Sequence, residues 1–178
     1  MDLKFENKYI TTLETTRAYC KHASHTCKIY KMEGYVLGLV FLIMLVTGII
    51  YKMGLNYVVV PAIGVLAGIF LVNCEKWQGK RVYDKRVKIY GEKFPYTCYE
   101  FGDRVTLKEG DIEARYDYVL LLDLRESRDY FFLMLDKENG LTIKKDSFTI
   151  GTADDFRDFI TEKINKSREG MGMKPLEK

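Results

Sequence analysis

Two apolar segments lie side by side in this chain, at residues 34–50 and 55–73, and neither contains a charged side chain. Only residues 51–54 separate them. A helix needs roughly 17–25 apolar residues to cross the hydrocarbon core of a bilayer, and both segments reach that length. The pattern therefore predicts a two-helix transmembrane hairpin over residues 34–74.

The alternative interpretation of these segments is a buried hairpin of a soluble domain. A helix on the surface of a soluble core keeps a polar stripe, whereas both segments are apolar on all sides. The rest of the chain has enough mass for only one small domain, which could not also enclose two such helices. The first segment also begins too far from the N-terminus for a cleaved signal peptide. We therefore favour a membrane hairpin.

Basic residues flank the hairpin on both sides and predict its orientation. Six of them lie before it: Lys4, Lys8, Arg17, Lys21, Lys28 and Lys31. The connection between the helices carries only Lys52. Lys and Arg mark the cytoplasmic side of membrane helices. We therefore expect a multi-pass protein of the cell membrane with both termini in the cytoplasm.

Two pairs of glycines lie four residues apart inside the hairpin, at Gly34 and Gly38 and at Gly64 and Gly68. Small residues at this spacing let helix backbones approach closely in lipid. We predict that they hold the two helices together, with a homodimer as the alternative. Neither segment contains an ionisable side chain, which argues against a transporter or pump.

The N-terminal region, residues 1–33, is predicted to form a strand and a helix. Leu3, Phe5 and Tyr9 alternate with charged residues, as in a half-buried strand. Thr11 and Glu14 then have the spacing of a capping box. The expected helix runs from about residue 12 to residue 31 and continues into the first apolar segment. The strand is expected to return to the C-terminal domain, which would make the hairpin an insertion within one fold.

Two cysteines and two histidines lie close together in this helix, at Cys20, His22, His25 and Cys27. These residue types bind zinc. At about 100° per residue, however, the two cysteines share one helix face and the histidines fall nearly opposite. We therefore expect no metal and no cofactor, with a metal- or thiol-dependent activity as a remaining alternative. Cytoplasmic cysteines are expected to be reduced thiols.

A basic segment follows the hairpin. Its six cations are Lys76, Lys80, Arg81, Lys85, Arg86 and Lys88, and they face one acid, Asp84. Anionic lipid attracts such residues by about 1 kcal/mol each. The segment is therefore either a topology signal that touches lipid or a site that recognises a lipid headgroup. Residues 94–178 carry 14 basic and 18 acidic side chains, so nucleic-acid binding is not expected.

Short strands with turn signals are predicted over residues 81–145, including residues 119–124, 130–135 and 141–144. A C-terminal helix follows, with Thr152 as N-cap. Its apolar stripe comprises Phe156, Phe159, Ile160 and Ile164. The fold class is thus an α+β membrane protein. Residues 75–168 are expected to form a cytoplasmic pleckstrin-homology-like small β barrel or sandwich closed by the helix, with residues 169–178 as a flexible tail.

Two stretches of this domain, Tyr116–Leu133 and Ile143–Ile160, resemble the YcxB-like family. Lys145, Phe148, Gly151 and Phe156 occupy its motif positions. The resemblance implies a bacterial membrane protein with an arm, two spans and a C-terminal β domain, and it implies no particular activity. We expect structural roles for the motif residues, with ligand contact as the alternative for Lys145.

The function class that fits these observations is a non-enzymatic binding module at the inner face of the membrane. Its expected partners are membrane lipid and a protein of unknown identity. The chain contains no Gly-rich phosphate loop and no nucleophile elbow, so we do not expect an enzyme. The alternative function is a structural or regulatory subunit of a larger membrane complex.

Overall fold

The computed structural model describes residues 3–91 and 94–176, which form five α-helices and eight β-strands. The helices are α1 (Leu13–His22), α2 (His25–Ile50), α3 (Asn56–Val72), α4 (Cys74–Tyr90) and α5 (Ala153–Gly170). The strands are β1 (Phe5–Ile10), β2 (Tyr96–Phe101), β3 (Val105–Glu109), β4 (Ile112–Tyr116), β5 (Asp123–Glu126), β6 (Tyr130–Met134), β7 (Gly140–Lys144) and β8 (Phe148–Ile150). The protein is therefore α+β, as the sequence predicts.

The strands form two antiparallel sheets. One has the order β4-β3-β2-β1-β8, and the other has the order β5-β6-β7. Strand β1 pairs with β2 from Phe5 opposite Phe101 to Ile10 opposite Tyr96. This pairing confirms the expected contact between the N-terminal arm and the C-terminal strands. Helices α1 to α4 are thus inserted between two neighbouring strands of one sheet.

The apolar core lies between the two sheets and α5. Phe101, Phe131, Phe156, Ile160 and Ile164 are fully buried there. The sequence predicted a small barrel or sandwich, and among the described residues the strands do not form a closed barrel. The segment expected as a strand over residues 119–124 begins instead with a 3-10 turn, Tyr118–Leu120, where the chain passes from one sheet to the other. Leu121 is buried in the core at this passage, and β4 and β5 belong to different sheets.

Two secondary-structure predictions near the hairpin were wrong. Residues 81–90 belong to helix α4, although they were predicted as part of the strand region. The N-terminal helix is not continuous either, because α1 ends at His22 and Ser24 caps a new helix by accepting a hydrogen bond from the Cys27 N–H at 3.2 Å. Ala23, at the break, is fully buried, and its carbonyl accepts a hydrogen bond from Arg125. Tertiary contacts therefore bend the helix.

Helices α2 and α3 pack against each other as an antiparallel pair. Gly34 and Gly68 lie at their contact, where a Cβ on Gly68 would come within 2.8 Å of the Gly34 carbonyl oxygen and of the Gly38 Cα. A Cβ on Gly64 would meet the ring of Phe41. Close approach of the two backbones therefore requires glycine at these positions.

Among the described residues, α2 is the one helix long and apolar enough to cross a membrane by itself. Helix α3 has 17 residues and is followed by α4 after a bend of 54°. Together α3 and α4 would count as one broken span. Large apolar side chains of both hairpin helices point away from the protein, and Leu39 and Leu66 are 61% and 66% exposed.

The chain after α5 folds back along that helix. Arg168 donates hydrogen bonds to the carbonyl oxygens of Lys174 and Leu122, and the Leu176 N–H donates to Asn165 at 2.7 Å. The end of the expected flexible tail, residues 177–178, lies outside the described residues, as do residues 1–2 of the N-terminal region.

Candidate functional site

Helix α4 has two different polar faces. Gln78, Val82 and Arg86 follow one another at intervals of four residues, so they share one side of the helix. That side faces the β-sheets across a cavity. Most of the basic residues lie on another side. Helix α4 therefore separates a polar cavity that is partly open to solvent from a basic surface.

The cavity has a volume of about 550 Å³ and lies between α1, α4, the five-stranded sheet and the connection from β6 to β7. Polar side chains that are almost entirely buried line it: Thr11, Thr15, Thr16, Ser24, Thr97 and Glu109. Buried polar groups are costly unless they are hydrogen-bonded. Such a concentration of them distinguishes this cavity from an ordinary packing defect.

An ion pair crosses one end of the cavity. Arg86 donates from Nη1 to Glu109 Oε1 at 3.1 Å and to Thr11 Oγ1 at 3.0 Å. The Thr11 hydroxyl also lies 3.2 Å from that of Thr97. Arg86 was predicted to be one of six lipid-facing cations, but it points into the protein. Its spacing from Gln78 and Val82 indicates only that the three residues share one helix face, and the sequence does not reveal that this face meets the sheet.

Two buried tyrosines lie beside this ion pair. The Tyr9 hydroxyl donates to the Thr142 carbonyl at 2.5 Å, and the Tyr9 and Tyr99 rings are stacked with centroids 6.4 Å apart. Burial raises the pKa of Tyr9 well above its ordinary value of 10.0, and it also raises the pKa of Tyr99. Both phenols are therefore neutral at physiological pH and can donate hydrogen bonds.

Glu138 closes the other end of the cavity. Its carboxylate accepts hydrogen bonds from the Thr26 N–H at 2.7 Å, the Thr26 hydroxyl at 2.8 Å and the Ser24 hydroxyl at 3.0 Å. A carboxylate at a helix N-terminus is favourable, because unpaired N–H groups and the helix dipole are positive there. The Tyr19 hydroxyl donates to the Glu138 carbonyl at 2.5 Å. Burial raises the pKa of Tyr19 to about 12. Glu138 therefore connects α2 to the β6–β7 connection.

The other face of α4 carries a shallow basic groove. Lys80, Arg81, Lys85 and Lys88 line it, together with Trp77 and Asp84. All four cations are exposed, as is Lys76 nearby. Five of the six residues predicted to face lipid are thus available to solvent, and Arg86 is the exception.

Three cysteines meet where α1, α2 and α4 join. Cys20, Cys27 and Cys74 are buried there, and the Cys74 thiol donates to the Cys27 carbonyl at 3.3 Å. A hydrogen bond with Cys27 lowers the pKa of Cys20. His22 lies apart from them and stacks on Phe132. In residues 3–91 and 94–176, no three His, Cys, Asp or Glu side chains are placed to hold a metal ion.

Residues 102–160 match the model of the YcxB-like protein family. This stretch is a YcxB-like domain. The match confirms the resemblance, and it covers the strands from β3 to β8 and the first part of α5. No curated protein and no solved structure matches the chain.

The motif residues of the YcxB-like domain lie around its core. Phe148 and Phe156 pack with ring centroids 5.0 Å apart. Gly151 has a φ of 82° and lies against the Phe5 ring, which leaves no room for a side chain. Lys145 lies 2.5 Å from Glu126 Oε1 and over the Phe131 ring at 4.6 Å. The contact of Gly151 with Phe5 links the family motif to strand β1.

The cavity is shared between the YcxB-like domain and the rest of the chain. Glu109 and Glu138 come from the domain, whereas Thr11 and Arg86 lie outside it. The sequence does not predict the cavity, because these residues are far apart in the chain and come together only in the tertiary structure.

Proposed function

We propose that this protein is a membrane-tethered, non-enzymatic binding module at the inner face of the cell membrane. Helices α2 and α3 form the transmembrane hairpin, and both termini are cytoplasmic. The single observation that supports this assignment best is the exposure of large apolar side chains along both helices, such as Leu39 and Leu66. In water, such a surface would favour aggregation, whereas lipid would solvate it.

The lengths of the two helices support the hairpin. The first apolar segment, residues 34–50, and helix α3 each contain 17 residues, which corresponds to about 26 Å along a helix axis. Two matched segments of that length can cross a bilayer at the lower end of the spanning range. The bend of 54° before α4 would then mark the point where the chain leaves the membrane.

In this proposal the glycine pairs hold the hairpin together within one chain. Gly34 and Gly68 already contact the facing helix, so they leave little backbone free for a second copy. This contact favours the tethered module over a subunit that assembles through its glycine faces. A pleckstrin-homology-like domain is the proposed cytoplasmic part, supported by two antiparallel sheets and one C-terminal helix.

The basic groove of α4 is proposed to lie against anionic lipid. Lys80, Arg81, Lys85 and Lys88 would each contribute about 1 kcal/mol of attraction near such a surface. We propose general electrostatic contact for these four cations, because Asp84 lies among them in an open groove. Arg86 takes no part, since Glu109 and Thr11 already bind it.

A membrane-impermeant maleimide tests the topology in intact cells. We expect Lys52→Cys, in the connection between α2 and α3, to be labelled. The matched variant Lys166→Cys, on the exposed side of α5, should be labelled only after the membrane is permeabilised. Both variants would carry Cys98→Ser, because the other three cysteines are buried. Labelling of Lys166→Cys in intact cells, with protection of Lys52→Cys, would refute the proposed orientation.

A further inference from the structure

The cavity behind α4 has the size and composition of a ligand site. Pockets for small molecules measure roughly 300–1,000 Å³ and combine apolar walls with a few fixed polar groups. This cavity measures about 550 Å³, and Val82, Leu107 and Leu141 contribute apolar walls. Its polar groups are held in place, since Thr11 is bound by Arg86 and Tyr9 by the Thr142 carbonyl.

The charges that line the cavity are already compensated. Arg86 pairs with Glu109, and the Glu138 carboxylate is bound at the N-terminus of α2. These three are the charged side chains among the described residues of its lining. A charged ligand would lose its hydration without gaining an unpaired counter-ion, which is unfavourable. The lining therefore selects for an uncharged molecule.

The ion pair presents a donor and an acceptor side by side. Arg86 and Glu109 meet through Nη1 and Oε1. A guanidinium has five N–H donors and a carboxylate has two oxygens, so further donors and the second oxygen remain for a ligand. Adjacent hydroxyl groups, or the N–H and C=O of an amide, complement such a pair. The Tyr99 ring and the Leu107 side chain offer an apolar surface beside it.

We infer that this cavity binds a small uncharged ring compound that carries adjacent hydroxyl or amide groups. The ring packs on the Tyr99 and Leu107 side, and its polar edge bonds to Arg86 and Glu109. The site is formed jointly by the YcxB-like domain and by α1 and α4. The cavity is distinct from the basic groove, so a negative result for ligand binding would leave the proposed membrane tether unaffected.

Saturation-transfer NMR on the full chain in mild detergent tests this inference. The probes are N-acetylglucosamine and uridine, with their monophosphates as charged counterparts. We expect at least one uncharged probe to bind at millimolar concentration and to bind more tightly than its phosphate. Binding by neither uncharged probe, or tighter binding by the phosphates, would overturn the assigned ligand class.

A pair of variants on α4 locates the binding site. Val82→Phe should narrow the cavity one helical turn from Arg86 and weaken binding. Val82 is 42% exposed, so a larger side chain can be accommodated there without unfolding the core. Ile89→Phe makes a similar change on the same helix outside the cavity lining and should bind as the unmodified protein does. Equal binding by both variants, or loss in both, would contradict the assignment. Should Val82→Phe unfold by near-UV circular dichroism, Gln78→Phe replaces it.

Discussion

The ion pair between Arg86 and Glu109 provides a direct test of how α4 is held against the sheet. We consider the substitution Arg86→Met, which keeps an unbranched apolar stem and removes the guanidinium group with its charge. The change leaves the Glu109 carboxylate, whose side chain is only 9% exposed, without its cation. It also removes the hydrogen bond to Thr11.

The expected loss of stability follows from burial. Removing one partner of a fully buried ion pair costs about 3–5 kcal/mol. The Arg86 side chain is 34% exposed, so water already screens part of the interaction. We therefore expect Arg86→Met to lower the free energy of unfolding by about 2 kcal/mol, in the range of a hydrogen bond to a charged group. Glu109→Gln keeps a neutral acceptor and should cost about 1 kcal/mol.

Urea titration in mild detergent, followed by near-UV circular dichroism, measures these changes. A double-mutant cycle with Arg86→Met and Glu109→Gln isolates the pairwise energy, for which we expect about 1 kcal/mol. Arg104→Met is the matched control, because Arg104 pairs with Asp117 at the surface and both side chains are more than half exposed. It should change stability by less than about 1 kcal/mol.

Two results would refute this reasoning. One is strict additivity of the two substitutions, since it would mean that Arg86 and Glu109 do not interact. The other is an equal loss of stability for Arg104→Met, since burial would then have no effect on the size of the change.

Three further predictions follow from individual contacts. Glu138→Ala should lower the local stability of the α2 N-terminus by about 1–2 kcal/mol, because the Thr26 N–H loses its acceptor. Amide hydrogen exchange over residues 24–28 should become faster, and unchanged exchange would contradict this role of Glu138. Gly68→Val should separate α2 from α3 and lower the melting temperature in detergent. Gly54→Ala is the control, because a Cβ at Gly54 meets no atom within 4 Å, and it should leave the melting temperature unchanged. Equal melting temperatures for the two variants would contradict the close packing of the helices. Burial raises the pKa of Tyr99 above 10.0, so the folded state favours the neutral phenol. The contribution of Tyr99 to the free energy of unfolding is therefore complete below pH 10 and declines as the pH rises above 10. Tyr99→Phe should flatten that decline between about pH 10 and 12, and an unchanged pH profile would exclude this cause.

Much of the local structure could be predicted because its signals are local. The apolar segments 34–50 and 55–73 predict the paired helices α2 and α3, and Thr152 with the stripe from Phe156 to Ile164 predicts α5. The alternation from Leu3 to Tyr9 predicts β1. Each of these patterns lies within a single helix or strand, so the local sequence is enough to predict that element.

Helix α4 could not be predicted in the same way. Its second half, residues 81–90, mixes apolar and charged residues without a clear period. In the helix, Arg86 contacts Glu109 and Thr11, which lie far from it in the sequence and leave no mark on the local pattern. The break at Ala23 likewise depends on Arg125 and Glu138, which lie more than 100 positions further along the chain.

The sequence by itself determined the apolar hairpin, the class of the fold and the resemblance of its C-terminal part to the YcxB-like family. Only the tertiary structure decided where Arg86 points and that a polar cavity lies behind it. The physical reason is that a hydrophobic repeat carries information only about the few turns of chain that contain it. The cavity is instead formed by side chains such as Thr11, Arg86, Glu109 and Glu138, which come together only when β1 pairs with β2 and α4 folds back over the sheet.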